Sequence, residues 1–321
     1  MKTCWLILLV GLSSCDRRPQ QPAPQPQTNV GESAVSVPKF DGQNAYKYLT
    51  SQTDFGPRNP GSDGYRKCLR FLQDELRTLA DGVSLQEFSN TNFKGETFKH
   101  SNIIAQFNSK AFVRILLTAH WDTRPWADND ENPANHNKPI LGANDGASGV
   151  AVLLEIAKQL KAKAPLIGVD MVLWDCEDMG RRGEARSYAV GSQYFAKHLP
   201  PGMNPRFAIN LDMVSDKKLT IPREQNSDRY APDVMNLIYD TARELGVPEF
   251  VNGVGEEIFD DHIPLNEAGI RSVDIIDFNY PDQSNKHWHS LEDTPDKCSP
   301  ESLEAVGKVL LQIIYAKQIA F

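Results

Sequence analysis

Short, strongly apolar segments separated by helical segments constrain the fold of this chain more than any other feature. Residues 113–119 read VRILLTA, residues 170–174 read DMVLW, and residues 207–211 read FAINL. Apolar runs of this length are typical of strands that are buried on both faces. Residues 147–160, between the first two runs, have the pattern of a helix. Alternation of this kind predicts an α/β fold.

The rest of the chain after residue 38 continues the same alternation. Further strands are predicted at residues 83–88, 101–107 and 272–278, and further helices at residues 45–49, 65–79, 190–198, 234–245 and 300–320. We therefore expect a mixed, mostly parallel central β-sheet flanked by helices on both faces. Residues 39–321 are predicted to form one catalytic domain, and no second domain is expected.

The first 15 residues, MKTCWLILLVGLSSC, are typical of a lipoprotein signal peptide. Lys2 supplies a positive charge, and the apolar run at residues 5–10 is too short to span a bilayer. Leu-Ser-Ser-Cys, ending at Cys15, resembles the bacterial lipobox, whose Cys becomes the lipidated first residue of the mature protein. We expect an exported, membrane-anchored lipoprotein that faces the periplasm or the cell surface. An ordinary signal peptide is the alternative.

Composition narrows the remaining possibilities. Residues 16–38 are rich in Pro and Gln, which predicts a disordered tether between the anchor and the catalytic domain. The formal net charge of −8, without a long basic run, argues against nucleic acid as a partner. Cys68, Cys176 and Cys298 remain after the leader and lipobox cysteines, and we expect all three to be free and buried.

Acidic and histidine residues follow one predicted strand or helix-opening loop after another. They are His120, Asp122, Asp145, Glu177, Asp178, Asp212, Asp260 and His289. In open α/β sheets, ligands bind outside the carboxyl ends of the strands, so a shared metal site is expected there. A catalytic zinc site uses His nitrogen and carboxylate oxygen from three residues and keeps one position open. We predict Asp145, Asp178 and His289 as ligands, with Glu177 beside the open position as general base.

The order of these motifs resembles the zinc-dependent aminopeptidase superfamily. The resemblance rests on H-x-D at 120–122, G-A-x-D-x-x-S-G at 142–149, the acid pair at 177–178, N-x-D at 210–212 and the final His289. It runs from about residue 40 to the C-terminus. It implies a zinc aminopeptidase-like fold.

Three segments are more similar to the animal-type glutaminyl cyclases, including their bacterial members. They are HWDTRPWAD at 120–128, DDHIP at 260–264, and Trp288-His289 followed by Ser290, Glu292 and Asp293. This likeness implies a zinc-dependent glutaminyl-peptide cyclotransferase, an acyltransferase that acts on peptides and proteins with N-terminal Gln. The product is pyroglutamate, with release of ammonia.

The resemblance also implies roles for individual residues. One zinc ion per chain would be held by the three predicted ligands, with Glu177 as catalytic base. Asp212 and Asp260 match two acids near the leaving group, and they are expected to share a proton. Trp288 matches an aromatic wall of the substrate pocket. Asp122 is interpreted as a residue that orients His120.

Several points stay open at the level of sequence. Animal cyclases carry Glu-Glu where this chain has Glu177-Asp178, so the metal position must adjust to the shorter Asp178. A second pocket aromatic is not obvious after this pair, and Tyr188 is the candidate. Trp126 is either an edge of the pocket or part of the core.

Two alternative functions use the same fold. A di-zinc aminopeptidase would bind its second metal through His120 and Asp212 and would activate a bridging water with Glu177. A catalytically inactive binding ectodomain should have lost a ligand or the base, and every required residue is present. Asp260, Trp288 and the 120–128 segment favour the cyclase.

Overall fold

The computed structural model describes residues 1–3 and 36–317. The chain divides into two units, Met1–Ala34 and Val35–Phe321, and the second carries all the secondary structure described below. The predicted lipobox, Cys15 and nearly all of the tether lie outside the described residues, as do the last three residues of the helix predicted at 300–320. Within residues 1–3 and 36–317, no helix is long and apolar enough to cross a membrane.

Within the described residues 36–317, eight strands form a large central sheet and a small second sheet. They are β1 (Gly82–Thr91), β2 (Thr97–Phe107), β3 (Arg114–His120), β4 (Gly168–Trp174), β5 (Ala208–Asp212), β6 (Ile221–Arg223), β7 (Phe250–Val254) and β8 (Ser272–Ile276). The six-stranded sheet has the order β1-β2-β4-β3-β5-β8. Strands β4, β3, β5 and β8 run parallel, and β1 and β2 pair antiparallel at one edge. The predicted mixed, mostly parallel sheet is confirmed.

Helices cover both faces of this sheet. They are α1 (Gly42–Thr53), α2 (Asp63–Leu79), α3 (Ala147–Ala162), α4 (Val190–Lys197), α5 (Gln225–Tyr230), α6 (Pro232–Glu244), α7 (His262–Glu267) and α8 (Pro300–Ala316). Successive side chains of a strand point to opposite faces, so β3 contributes to two cores. Ile115 and Leu117 pack in the cluster with α1, α3 and α8, whereas Leu116 packs with Phe195 of α4 and Leu265 of α7. Burial on both sides explains why this strand is apolar at consecutive positions.

The predicted elements correspond to observed ones, and the structure adds β6, β7, α5 and α7. These four are short, and β7 is exposed along most of its length, so none has an apolar period that marks it in the sequence. Helix α7 begins at His262. Cys68, Cys176 and Cys298 are free and buried, as predicted.

Candidate active site

A cavity of about 340 Å³ lies where the parallel strands end. Its lining includes Asp145, Glu177, Asp178, Tyr188, Asp212, Asp260, Trp288 and His289, together with Arg182 and residues 256–259. Most of these residues are far apart in sequence. They meet because the carboxyl ends of parallel strands lie at one edge of a sheet.

The three predicted zinc ligands meet at the floor of this cavity. His289 Nε2 lies 3.1 Å from Asp178 Oδ1 and 3.5 Å from Asp145 Oδ2. Burial and the nearby Arg124 lower the pKa of His289 to about 3, so its imidazole is neutral and can offer a lone pair. One donor atom from each residue lies within 4.8 Å of the others.

This donor set fits a zinc ion. Two carboxylates and a neutral imidazole are a ligand combination that zinc accepts. Asp145 Oδ2 and Asp178 Oδ2 are buried and have no hydrogen-bond partner among the described residues. A buried carboxylate oxygen without a partner is costly, and a cation between the two side chains would satisfy both.

Asp145 is placed by a tight turn at the start of α3. Gly146 adopts φ 105°, and a Cβ there would come within 2.5 Å of the Asp122 carbonyl oxygen, so only glycine fits. The carboxylate of Asp293 accepts hydrogen bonds from the backbone N–H groups of Asn144 (2.8 Å) and Asp145 (3.1 Å). The loop that carries Asp145 is therefore fixed by the tight turn at Gly146 and by the hydrogen bonds to Asp293.

Asp122 and Arg124 hold the acid pair that follows β4. Asp122 accepts hydrogen bonds from the backbone N–H groups of Glu177 (3.1 Å) and Asp178 (3.3 Å). Asp122 Oδ1 also lies 3.7 Å from His120 Nδ1, which is beyond hydrogen-bond distance, so its role in orienting His120 stays a prediction. Arg124 Nη1 donates to Asp178 Oδ1 at 3.2 Å, and the same guanidinium forms two hydrogen bonds to Asp128.

Glu177 lines the cavity next to the ligand cluster and is only half-buried. Burial raises the pKa of its carboxyl well above the ordinary value, and the neighbouring carboxylates of Asp178 and Asp260 add to the rise. A carboxyl group with a raised pKa can both accept and return a proton near neutral pH. This position agrees with the predicted base.

A second group of donor atoms lies beside the first. His120 Nε2 is 3.2 Å from Asp145 Oδ1 and 3.1 Å from Asp212 Oδ1. These are the residues that a two-zinc aminopeptidase would use for its second metal. The His120 imidazole lies within hydrogen-bond distance of both carboxylates.

Asp260 lines the cavity and also belongs to a buried polar network that lies behind it. Asn210 Nδ2 donates to Asp260 Oδ2 and to Asp274 Oδ1, both at 3.1 Å, and Asn210 Oδ1 accepts a hydrogen bond from Thr118 Oγ1. Burial raises the pKa of both Asp212 and Asp260, and the charge of Asp212 adds to the rise at Asp260. Raised values are expected where neighbouring acids share a proton.

The three predicted pocket aromatics divide into two groups. Trp288 and Tyr188 line the cavity, and the Trp288 ring stacks on His289 with the centroids 3.8 Å apart. Trp126 is not among the lining residues. It packs in an apolar cluster with Phe88 and other residues, and Lys94 Nζ lies 4.1 Å from the centre of its ring. Of the two readings of Trp126, the structure places it in the core.

Three residues at the site have left-handed backbone conformations that non-glycine residues rarely adopt. They are Cys176 (φ 61°) directly before the base, Met213 (φ 49°) directly after Asp212, and His289 itself (φ 51°). Such conformations cost on the order of 1–3 kcal/mol each and persist where the surroundings fix them. Because three such residues lie at one site, the positions of the site side chains are maintained at the cost of backbone strain.

Arg58 supports the loops beneath the site and was not singled out from the sequence. It is fully buried, and its guanidinium donates to the carbonyl oxygens of Trp121, Leu141 and Gly142 at 2.7–3.0 Å. The segment that contains it gave no signal of this role. Arg124, Asp293 and Asn210 were also missed as site residues, although all three lie inside motifs that carry the family resemblance.

Replacing Arg58 by Met is expected to destabilise the fold by at least about 3 kcal/mol, because each buried acceptor left unpaired costs ~1–3 kcal/mol. Urea unfolding measures this loss. The matched control is Arg70→Met at an exposed position of α2. It should change the free energy of unfolding by less than about 0.5 kcal/mol. Equal effects of the two substitutions would contradict the proposed role of Arg58.

Comparison with known proteins identifies the family. Residues 102–314 match Peptidase family M28. This chain belongs to that family. The solved structure of a glutaminyl cyclase from Tannerella forsythia is 39% identical with a TM-score of 0.84, over 88% of this chain and 100% of that one.

Two further relatives carry different names, one that of an aminopeptidase and the other that of a cyclotransferase. A leucine aminopeptidase precursor from Bacteroides thetaiotaomicron is 37% identical with a TM-score of 0.85, over 89% of this chain and 100% of that one. The bovine glutaminyl-peptide cyclotransferase is 24% identical over 81% of this chain and 79% of its own length. The zinc aminopeptidase-like fold expected from the sequence is confirmed, and so is the resemblance to bacterial glutaminyl cyclases.

Proposed function

We propose that this chain is a zinc-dependent glutaminyl-peptide cyclotransferase that converts N-terminal Gln of peptides and proteins to pyroglutamate. The observation that carries the proposal is the arrangement of one cavity. Two carboxylates and a neutral histidine meet at its floor, Glu177 lies beside them, and Asp260 and Trp288 line the same space. The similarity to solved bacterial glutaminyl cyclases supports the same function.

Asp145, Asp178 and His289 would hold one zinc ion. When bound, zinc polarises the side-chain carbonyl of the substrate Gln as a Lewis acid. Trp288 stacks against His289 and forms an aromatic wall of the cavity beside the ligands. A wall of this kind would limit the access of water to the reacting group, which would favour cyclisation over hydrolysis.

The residues of the chain move the protons. Glu177 accepts a proton from the substrate α-amine, whose nitrogen forms a bond to the side-chain carboxamide carbon. The bond from that carbon to the amide nitrogen breaks, and Glu177 returns the proton so that ammonia leaves. Asp212 and Asp260 hold the departing nitrogen by hydrogen bonds. No external nucleophile takes part.

Incubation with a Gln-Xaa dipeptide amide tests this function directly. The expected product is the intact dipeptide less one ammonia, identified by mass. Release of free glutamine would instead indicate a peptidase.

The second candidate is a two-zinc aminopeptidase, which one observation favours. His120 Nε2 lies 3.2 Å from Asp145 and 3.1 Å from Asp212, and the donor atoms of the three residues lie within 4.8 Å of one another, so a second ion could bind there with little movement. Asp260 lines the cavity as a further acid that a hydrolase with a bridging water does not require, and this favours the cyclase. An inactive binding ectodomain is the least supported of the three, because ligands and base lie together around one cavity.

We also propose that the chain is an exported lipoprotein anchored to a membrane through Cys15. The support is the leader sequence, with its short apolar run and Leu-Ser-Ser-Cys ending. Its substrates would then be exported peptides and proteins that begin with Gln.

Replacing Cys15 by Ala is expected to move the protein from the membrane fraction to the soluble fraction or leave an uncleaved precursor. Cys4→Ala is the matched control and should have no effect, since Cys4 leaves with the leader. Fractionation and the mass of the N-terminal peptide measure both outcomes. A Cys15→Ala protein that is processed and located like the parent would contradict the anchor.

A further inference from the structure

Two loops at the end of the sheet opposite the cavity carry highly exposed apolar side chains. Phe112 is 94% exposed and Leu166 is 91% exposed, the highest values for large apolar residues within residues 36–317. Phe112 lies just before β3 and Leu166 just before β4. Asn108 Nδ2 donates to the carbonyl oxygens of Pro165 (3.0 Å) and Leu166 (3.4 Å), so the two loops form one surface.

Exposed lysines surround these two side chains. Lys110 precedes Phe112 in one loop, Lys161 lies in the last turn of α3, and Lys163 directly follows that helix in the loop that leads to Leu166. None of the three forms an ion pair with a carboxylate in the part of the chain that the structure describes. The nearby Asp81 is engaged by the backbone N–H of Ser109. The surface therefore combines two exposed apolar side chains, Phe112 and Leu166, with three positive charges.

The N-terminal segment joins the domain at the same place. Lys163 Nζ donates to the carbonyl oxygen of Ser36, so the start of the described domain lies beside the Leu166 loop. Residues 16–35 separate Ser36 from Cys15. Even fully extended, 20 residues reach no more than about 70 Å, so the predicted anchor keeps this end of the domain near the bilayer.

We propose that the surface formed by Phe112, Leu166 and the three lysines rests on the bilayer to which Cys15 anchors the chain. The inference depends on the proposed lipid anchor. Anchoring makes docking an intramolecular event with a high effective concentration, so a small contact suffices. Apolar side chains enter the interface between headgroups and acyl chains, and lysines bind anionic headgroups. We call this surface the docking face.

Docking in this way orients the active site. Strands β3 and β4 each run for seven residues from the docking face to the cavity, a distance of about 23 Å. The cavity then opens away from the bilayer. The substrates, which are the N-termini of peptides and proteins, then enter the cavity from the aqueous side.

The test uses the full lipidated chain in vesicles of phosphatidylethanolamine and phosphatidylglycerol. A polarity-sensitive fluorophore is attached through Ser109→Cys next to Phe112, and in a matched protein through Glu131→Cys at the cavity end. Cys68, Cys176 and Cys298 are buried and stay unlabelled. We expect brominated lipids to quench the label at 109 several-fold more than the label at 131.

The double variant Phe112→Ser, Leu166→Ser should remove the quenching at 109 and leave the turnover of a soluble Gln peptide unchanged. Equal quenching at both labels, or quenching that persists in the double variant, would overturn the docking face. Shielding at 109 that grows with protein concentration without vesicles would indicate a second copy of the chain instead. An N-terminal peptide without lipid would also overturn the inference. Cyclase activity measured on the same vesicles reports on the proposed function separately.

Discussion

Replacing Glu177 by Gln is expected to lower kcat for an N-terminal Gln peptide by about 100- to 10,000-fold while the zinc content stays at the parent value. General acid–base catalysis by one positioned side chain contributes this much. The Gln side chain keeps the shape of Glu177 but cannot carry a proton from the amine to the leaving nitrogen. The donor atoms that face each other belong to Asp145, Asp178 and His289, so the metal should remain.

The matched control is Glu256→Gln, which changes an exposed carboxylate at the rim of the same cavity. Its kcat should stay within about threefold of the parent, because a rim charge contributes little. If Glu177→Gln lost zinc together with activity, Glu177 would be a ligand. If its kcat were unchanged, another group would be the base.

Replacing His289 by Ala is expected to weaken zinc binding by more than about 100-fold and to abolish turnover. Loss of a residue that merely orients a ligand already costs about 10–100-fold in metal affinity, and loss of a ligand should cost more. The substitution also leaves the buried carboxylates of Asp145 and Asp178 facing each other without a neutral donor between them. Competition of the protein with a zinc chelator measures the affinity.

His120→Ala is the informative control for this experiment. If one zinc ion is bound by the three predicted ligands, the His120 variant should keep it at full stoichiometry. Two zinc ions in the parent protein and one in the His120 variant would support the aminopeptidase arrangement.

The central sheet was predictable because a strand that is buried on both faces has a run of consecutive apolar residues in the sequence. Strand β3 is apolar at consecutive positions for that reason, and α3 follows from the helical spacing after residue 146. The strand order was not predictable, since it depends on which strands pair across long separations. Strand β7 is exposed and short, so it has no local pattern at all.

The site was partly predictable for a topological reason. Asp145 lies just before α3, Asp178 follows β4 and Asp212 ends β5. All three positions lie at the same edge of the sheet, so their meeting follows from the fold. The partners that hold them do not, because Arg124, Asp293 and Asn210 are recognised only through contacts across 50 or more residues. The catalytic and ligand roles themselves stay predictions until the variants above are measured.

In the proposed reaction the nucleophile is the substrate's own amine and not water. Turnover of a Gln-Xaa dipeptide amide in water enriched in oxygen-18 tests it directly. We predict a pyroglutamyl product that contains no heavy oxygen, together with one equivalent of ammonia. Free glutamine with one heavy oxygen in its carboxylate would contradict the account, because it requires an attacking water and therefore an aminopeptidase.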